Sequence, residues 1–222
     1  MSIRRLVVLA VSVAVASGCM FNRGGGTVDP DVTVPDSFVV VFETTRGRFD
    51  VMARREWGPA GVDRFYQLVN DRFYDETGFF RVVKGFVAQF GLAADPAKTK
   101  AWRVRRLADE TLRHGNVRGA VAFARGGPGT RTTQLYINLV DNARLDTANT
   151  YGFPAIAEVV RGMSVVDSIY SGYNAARGGP PVEGGSPSQD SISNQGTAYL
   201  KRHFPKMDYI ESARVVREWR AP

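Results

Sequence analysis

Cysteine is almost absent. Cys19 is the only one in 222 residues, which rules out an intramolecular disulfide, so a chain of this length must rely on an apolar core. There are two histidines, His114 and His203. Neither has an acid or metal-ligand partner at a useful spacing, so they are assigned no catalytic or metal-binding work. No long Lys/Arg run occurs, which argues against nucleic acid as a partner even though the formal net charge is +7. The stretch Gly126-Gly127-Pro128-Gly129 lacks the lysine and helix start of a phosphate-binding loop. Internal repeats are missing, and the apolar run from Leu6 to Ala16 is too short for a comfortable membrane span.

What is present is an ordinary globular composition, 44% hydrophobic and 23% charged. Arg4 and Arg5 followed by that apolar run form a basic and then hydrophobic leader. It ends at Ala16-Ser17-Gly18-Cys19, which resembles a bacterial lipoprotein signal, although Ala16 stands where leucine is usual. The resemblance implies removal of residues 1–18, lipidation of Cys19 and a domain held at the bacterial cell envelope, outside the plasma membrane. Ordinary secretory cleavage and an uncleaved anchor are the other readings. Residues 19–37, with three consecutive glycines and prolines at 30 and 35, read as a flexible tether.

Beyond the tether, Phe38 to Thr44 and Arg48 to Ala53 are β-rich runs around a tight turn at Thr45-Arg46-Gly47. Gly58-Pro59 opens a helix whose Val62, Phe65, Tyr66 and Val69 recur at helical spacing. Residues 91–117 are polar and mixed in sign, a solvated loop with a short helical piece. Further strands are expected at 119–125, 135–139, 153–160 and 209–216, with a helix over 163–170. Residues 171–208 are rich in Gly, Pro and Ser, a surface excursion with a short helix near 197–204.

The chain is organised around Phe79-Phe80-Arg81-Val82-Val83-Lys84-Gly85-Phe86-Val87-Ala88-Gln89. Alternation predicts two half-buried strands that meet at a Lys-Gly turn, with Arg81 the one charge on the face it shares with Phe79 and Val83. A guanidinium there is costly unless it is paired or faces a cleft that uses it.

FFRVVKGFVAQFG resembles the cyclophilin signature, as do Gly119 to Arg125, Thr132 to Leu139 and Val159 to Asp167, in matching order and spacing across roughly residues 38–170. The resemblance implies a closed eight-stranded antiparallel barrel capped by two α-helices, spanning residues 38–222. It implies peptidyl-prolyl cis-trans isomerase activity on proline-containing polypeptides, in a monomer and without cofactor or metal. Carried over by motif, Arg81 and Gln89 are the catalytic residues. Phe86, Val87, Phe123, Ala124, Gln134, Tyr136 and Leu145 bind substrate. The sequence departs from the pattern at Phe80 (usually histidine), Phe90 (usually glycine), Tyr136 (usually phenylalanine) and Arg144 (often tryptophan). The histidine that often lines the pocket corresponds to Phe153 or Asn149. These departures keep two rival functions open: a non-catalytic proline-peptide binding module, and a scaffold lipoprotein that works through the 171–208 excursion.

Overall fold

A computed structural model describes residues 33–148, 151–173 and 185–220. The leader, Cys19 and the tether up to residue 32 lie outside the described residues. Val34 packs on the main core and Pro35 is buried.

Strands β1 (Ser37–Thr44) and β2 (Gly47–Arg54) form the expected hairpin, with Thr44 paired to Gly47. The Thr44 hydroxyl donates to the Gly47 carbonyl at 2.6 Å and accepts from the Arg46 amide at 3.1 Å. Gly47 takes φ +115°, a value that side chains rarely permit, so glycine fixes the turn. Helix α1 (Pro59–Asn70) begins with proline, which forfeits no hydrogen bond at that position. The Glu110 carboxylate accepts from the Ala60 and Gly61 amides at 2.7 and 3.1 Å, a negative charge set against the positive end of the helix. The stretch read as a solvated loop thus supplies an anchor. It also contains helix α2 (Pro96–Arg103), whose Trp102 is buried against Phe73.

The remaining strands are β3 (Thr77–Gly78), β4 (Arg81–Val83), β5 (Val87–Phe90), β6 (Ala120–Phe123), β7 (Leu135–Asn138), β8 (Ala155–Arg161) and β9 (Tyr209–Trp219). They join one curled antiparallel sheet in the order β3-β9-β1-β2-β8-β6-β7-β5-β4. The expected closed eight-stranded barrel is therefore corrected to an open, nine-stranded one. The run from Thr77 to Val83 breaks at Phe79-Phe80: its first part pairs with β9, its second with β5, and among the described residues no ladder joins β3 to β4. The two capping helices are α1 and α3 (Met163–Asp167); α2 is the short helical piece expected within 91–117, α5 (Thr197–His203) the short helix expected near 197–204, and α4 (Gln189–Gln195) brings the described residues to five.

Strand alternation places Phe38, Phe42, Phe49, Val51, Val82, Ala88, Phe90, Val121, Phe123, Leu135 and Ile137 in one interior. Phe90, in the family's glycine position, fills space among Phe42, Tyr74 and Phe79, with ring centroids 5.4–5.9 Å away. The break before β4 also overturns the expected shared face. Phe79 points into the interior with Val82, whereas Arg81 points out. A second apolar cluster lies outside the sheet: Phe80, Leu92, Tyr173, Ile192, Leu200, Phe204 and Met207. It seats α4 and α5, so the described part of the Gly/Pro/Ser-rich excursion is a packed unit.

Candidate active site

The register of four strands builds the site. Arg81 on β4 pairs with Gln89 on β5, Gln89 with Tyr136 on β7, and Tyr136 with Ala122 on β6. Directly paired residues share a face, so this row lies on the outer surface of the curled sheet. The neighbouring row, Phe90, Leu135 and Phe123, faces the core. That parity corrects one candidate: Phe123 packs in the buried core, away from the cleft that Arg81 faces, while its neighbour Ala124 lines that cleft.

Arg81, Phe86, Val87, Gln89, Ala124, Tyr136 and Leu145 come together around a cleft of about 190 Å³, joined by Arg125 and Phe153. Val87 and Tyr136 form its buried floor, packed with Ala122, and Phe86, Ala124, Leu145 and Phe153 its partly buried walls. A second cleft of about 240 Å³ shares Gln89, Ala124 and Arg125 with the first and adds Gly126, Thr130, Thr132, Gln134 and Gln189. Gln134 thus lies in the adjoining cleft. Phe153 is the aromatic at the position left between it and Asn149; Asn149 falls outside the described residues.

Arg81 is half-buried, and desolvation pushes its guanidinium pKa down from the ordinary value, but a guanidinium keeps its charge. Its Nη1 donates to Gln89 Oε1 at 3.3 Å, and among the described residues it makes no salt bridge. Two cations approach the Phe86 ring, with Arg81 5.6 Å and Arg144 4.5 Å from its centroid. Lys84 is exposed in the turn just before Phe86. Arg125 differs: its side chain is fully buried and tied to Asp109 at 2.7 Å, and it lies 5.0 Å from the Phe153 ring. It braces the wall of the cleft.

Beneath the floor runs a buried polar network that sequence reasoning missed. The Tyr136 hydroxyl donates to Asn116 Oδ1 at 2.7 Å, and Asn138 Nδ2 donates to the same oxygen at 3.2 Å. Asn116 Nδ2 in turn donates to Asp146 Oδ1 and the Phe153 carbonyl, at 2.8 and 2.9 Å. Burial pushes the Tyr136 hydroxyl pKa up strongly. The extra hydroxyl at this position therefore has its partner. Of the residues overlooked, Arg125 stands within a recognised motif and could have been chosen, but Asn116 and Gln189 lie in stretches with no periodic or motif signal.

The arrangement can hold an apolar ring against Phe86, Val87, Tyr136 and Leu145 while a cation and an amide face it from one side. The family model described as cyclophilin type peptidyl-prolyl cis-trans isomerase/CLD matches residues 39–193. The chain is 34% identical over 166 residues to peptidyl-prolyl cis-trans isomerase A of Dickeya dadantii, covering 73% of this chain and 83% of that one. It is 35% identical over 138 residues to peptidyl-prolyl cis-trans isomerase B of Escherichia coli, covering 59% and 83%. A crystal structure of a cyclophilin-type isomerase from Cryptosporidium parvum superposes with a TM-score of 0.57 at 16% identity, over 82% of this chain and 99% of that one, and shows the likeness of fold. Since the matched stretch runs through the whole row from Arg81 to Ala122, this chain belongs to the cyclophilin-type peptidyl-prolyl cis-trans isomerase family.

Proposed function

We propose that the protein accelerates rotation about Xaa-Pro peptide bonds in exported polypeptides, acting as a monomer at the bacterial envelope through a lipid on Cys19. One observation carries the catalytic part. Arg81 stands at the mouth of an apolar cleft with a neutral amide as its hydrogen-bond partner, so its charge is available to substrate.

The barrier to be lowered is about 18–20 kcal/mol, from the partial double bond of the amide. No bond is made or broken, so preferential stabilisation of the twisted amide suffices. In that state the prolyl nitrogen recovers its lone pair, and a fixed, partly desolvated donor favours it. Phe86, Val87, Tyr136 and Leu145 hold the ring while the preceding carbonyl swings past Arg81 and Gln89. A reduction of about 5 kcal/mol corresponds to several thousandfold.

The test is isomerisation of a short proline peptide by the parent and an Arg81→Ala variant. Clear acceleration by the parent and a loss of about 100-fold or more in the variant support the reading. A parent that binds the peptide without accelerating it would leave a binding module instead. For the anchor, release of a Cys19→Ser variant from membranes supports lipidation, and unchanged retention argues against it. For the role in export, the refolding rate of a proline-limited secreted protein is compared with and without the parent; equal rates would count against it.

A further inference from the structure

We infer that Gln189, brought in by the α4–α5 unit, is a positioning residue of the active site: it sets the orientation of two glutamine amides and through them the side chain of Arg81. The inference rests on the isomerase reading for its kinetic consequence, not for its geometry.

Three hydrogen bonds run head to tail in one sense. Arg81 Nη1 donates to Gln89 Oε1 at 3.3 Å, Gln89 Nε2 to Gln134 Oε1 at 2.8 Å, and Gln134 Nε2 to Gln189 Oε1 at 2.9 Å. A carboxamide has a donor end and an acceptor end, so each amide in such a chain dictates the orientation of the next. Arg81 requires an oxygen from Gln89, because a guanidinium only donates. Gln89 must then offer its NH2 to Gln134, which must answer with oxygen and turn its own NH2 outward. The acceptor that meets that NH2 is Gln189. Without it, Gln134 can flip, and its NH2 then faces the NH2 of Gln89. Relief comes if Gln89 flips as well, which presents donors to Arg81 and removes the bond that holds it.

Burial falls along the same path. Gln89 is buried, Gln134 half-buried and Gln189 exposed. The relay therefore begins at the proline cleft, passes along the second cleft, where Gln134 and Gln189 both line the wall, and ends on the first residue of α4. That helix is held where the relay needs it. Ser188 caps it, its hydroxyl accepting from the Ser191 amide at 3.2 Å. Ile192 and Leu200 enter the cluster built on Phe80, the residue before Arg81. Gly196, between the helices, has φ +63°, and a Cβ there would overlap the Ala94 carbonyl oxygen. Thr197 donates to the Glu76 carbonyl at 2.7 Å. Phe80, which replaces the histidine of the cyclophilin signature, thus docks the unit that carries Gln189.

The experiment uses the full chain with Gln189→Ala, Gln189→Glu, Gln134→Ala and the Gln134→Ala/Gln189→Ala double variant. NMR exchange at saturating proline peptide separates the rate on the enzyme from affinity. Gln189→Ala is expected to slow the bound-state rate about fivefold, the scale of one lost hydrogen bond, with peptide affinity and thermal midpoint unchanged. Gln189→Glu keeps the acceptor and is expected to stay within about twofold of the parent, as one retained hydrogen bond requires. Gln134→Ala already severs the relay, so adding Gln189→Ala should do nothing more. The Arg81 guanidinium resonance should shift or broaden in Gln189→Ala. A parent rate in Gln189→Ala, equal losses in the Glu and Ala variants, or additive losses in the double variant would each overturn the relay. An inactive parent whose Arg81 resonance still responds to Gln189→Ala would remove the isomerase reading and leave the relay standing.

Discussion

The network under the cleft makes opposite demands on the same substitution in two backgrounds. In the parent, Tyr136→Phe deletes one buried hydrogen bond, but Asn116 Oδ1 still accepts from Asn138, so no acceptor is stranded. The expected cost is about 1 kcal/mol, a fall of about 2–4 °C in Tm for a domain of this size. Asn116→Leu removes four side-chain hydrogen bonds at once. Asp146 keeps the Asn116 backbone amide, and Asn138 keeps the Ala120 carbonyl. The Tyr136 hydroxyl and the Phe153 carbonyl lose these partners. Each orphaned buried group costs about 1–3 kcal/mol, so with two of them Asn116→Leu should cost about 2–6 kcal/mol. In that background the hydroxyl is a burden, and adding Tyr136→Phe should return about 1–2 kcal/mol. Tyr136→Phe is thus destabilising in the parent and stabilising once Asn116→Leu has removed the acceptor. Urea denaturation of the four proteins, with m values checked for constancy, measures both signs. Loss of stability from Tyr136→Phe in both backgrounds would refute this network.

Burial raises the pKa of the Tyr74 and Tyr136 hydroxyls and pushes that of Tyr209 up to about 12. Their folded pKa values exceed the ordinary 10, so their contribution is complete below about pH 10 and is lost as pH climbs from there through the folded values; flat denaturation midpoints between about pH 8 and 11.5 would contradict this. Asp109→Asn removes the charge partner of a buried Arg125 and should cost about 3–5 kcal/mol, with weaker peptide binding because the Phe153 wall moves; a stability change under about 1 kcal/mol would show that the pair contributes little. Gly196→Ala cannot keep φ +63° without overlap at Ala94, so limited proteolysis should open residues 185–208 while the circular dichroism of the sheet persists. Resistance equal to the parent would place the α4–α5 unit on firmer footing than this seat.

Much of this molecule was legible because it is local. The hairpin at Gly47, the proline start of α1 and the alternation from Phe86 to Phe90 each follow from a few adjacent residues. The motif match then brought Arg81, Gln89, Phe86, Val87, Tyr136 and Leu145 to one cleft. Phe123 shows where that method fails. A motif places residues in the right strand, but the choice between Phe123 and Ala124 depends on which face is which, and the register of β6 against β7 decides it. Asn116 and Gln189 were hidden for another reason. Each reaches the site from a stretch without period, so only tertiary placement reveals it.

Phe80 joins these two kinds of information. Strict alternation would put Phe79, Arg81 and Val83 on one face of a continuous strand and leave Phe80 on the other. Instead the pairing changes partner at Phe79-Phe80, from β9 to β5, and the phase of the strand slips. Phe79 and Val82 both reach the main core, Phe80 reaches the second cluster, and Arg81 faces the cleft. One irregular step thus delivers three consecutive side chains to three environments. A histidine at position 80 would meet an apolar cluster of Leu92, Tyr173, Ile192, Leu200, Phe204 and Met207, where an imidazole would have to find a hydrogen-bond partner or bear the cost of desolvation. Phenylalanine removes that conflict, so the departure from the family pattern next to the arginine follows from what this chain has built against its sheet.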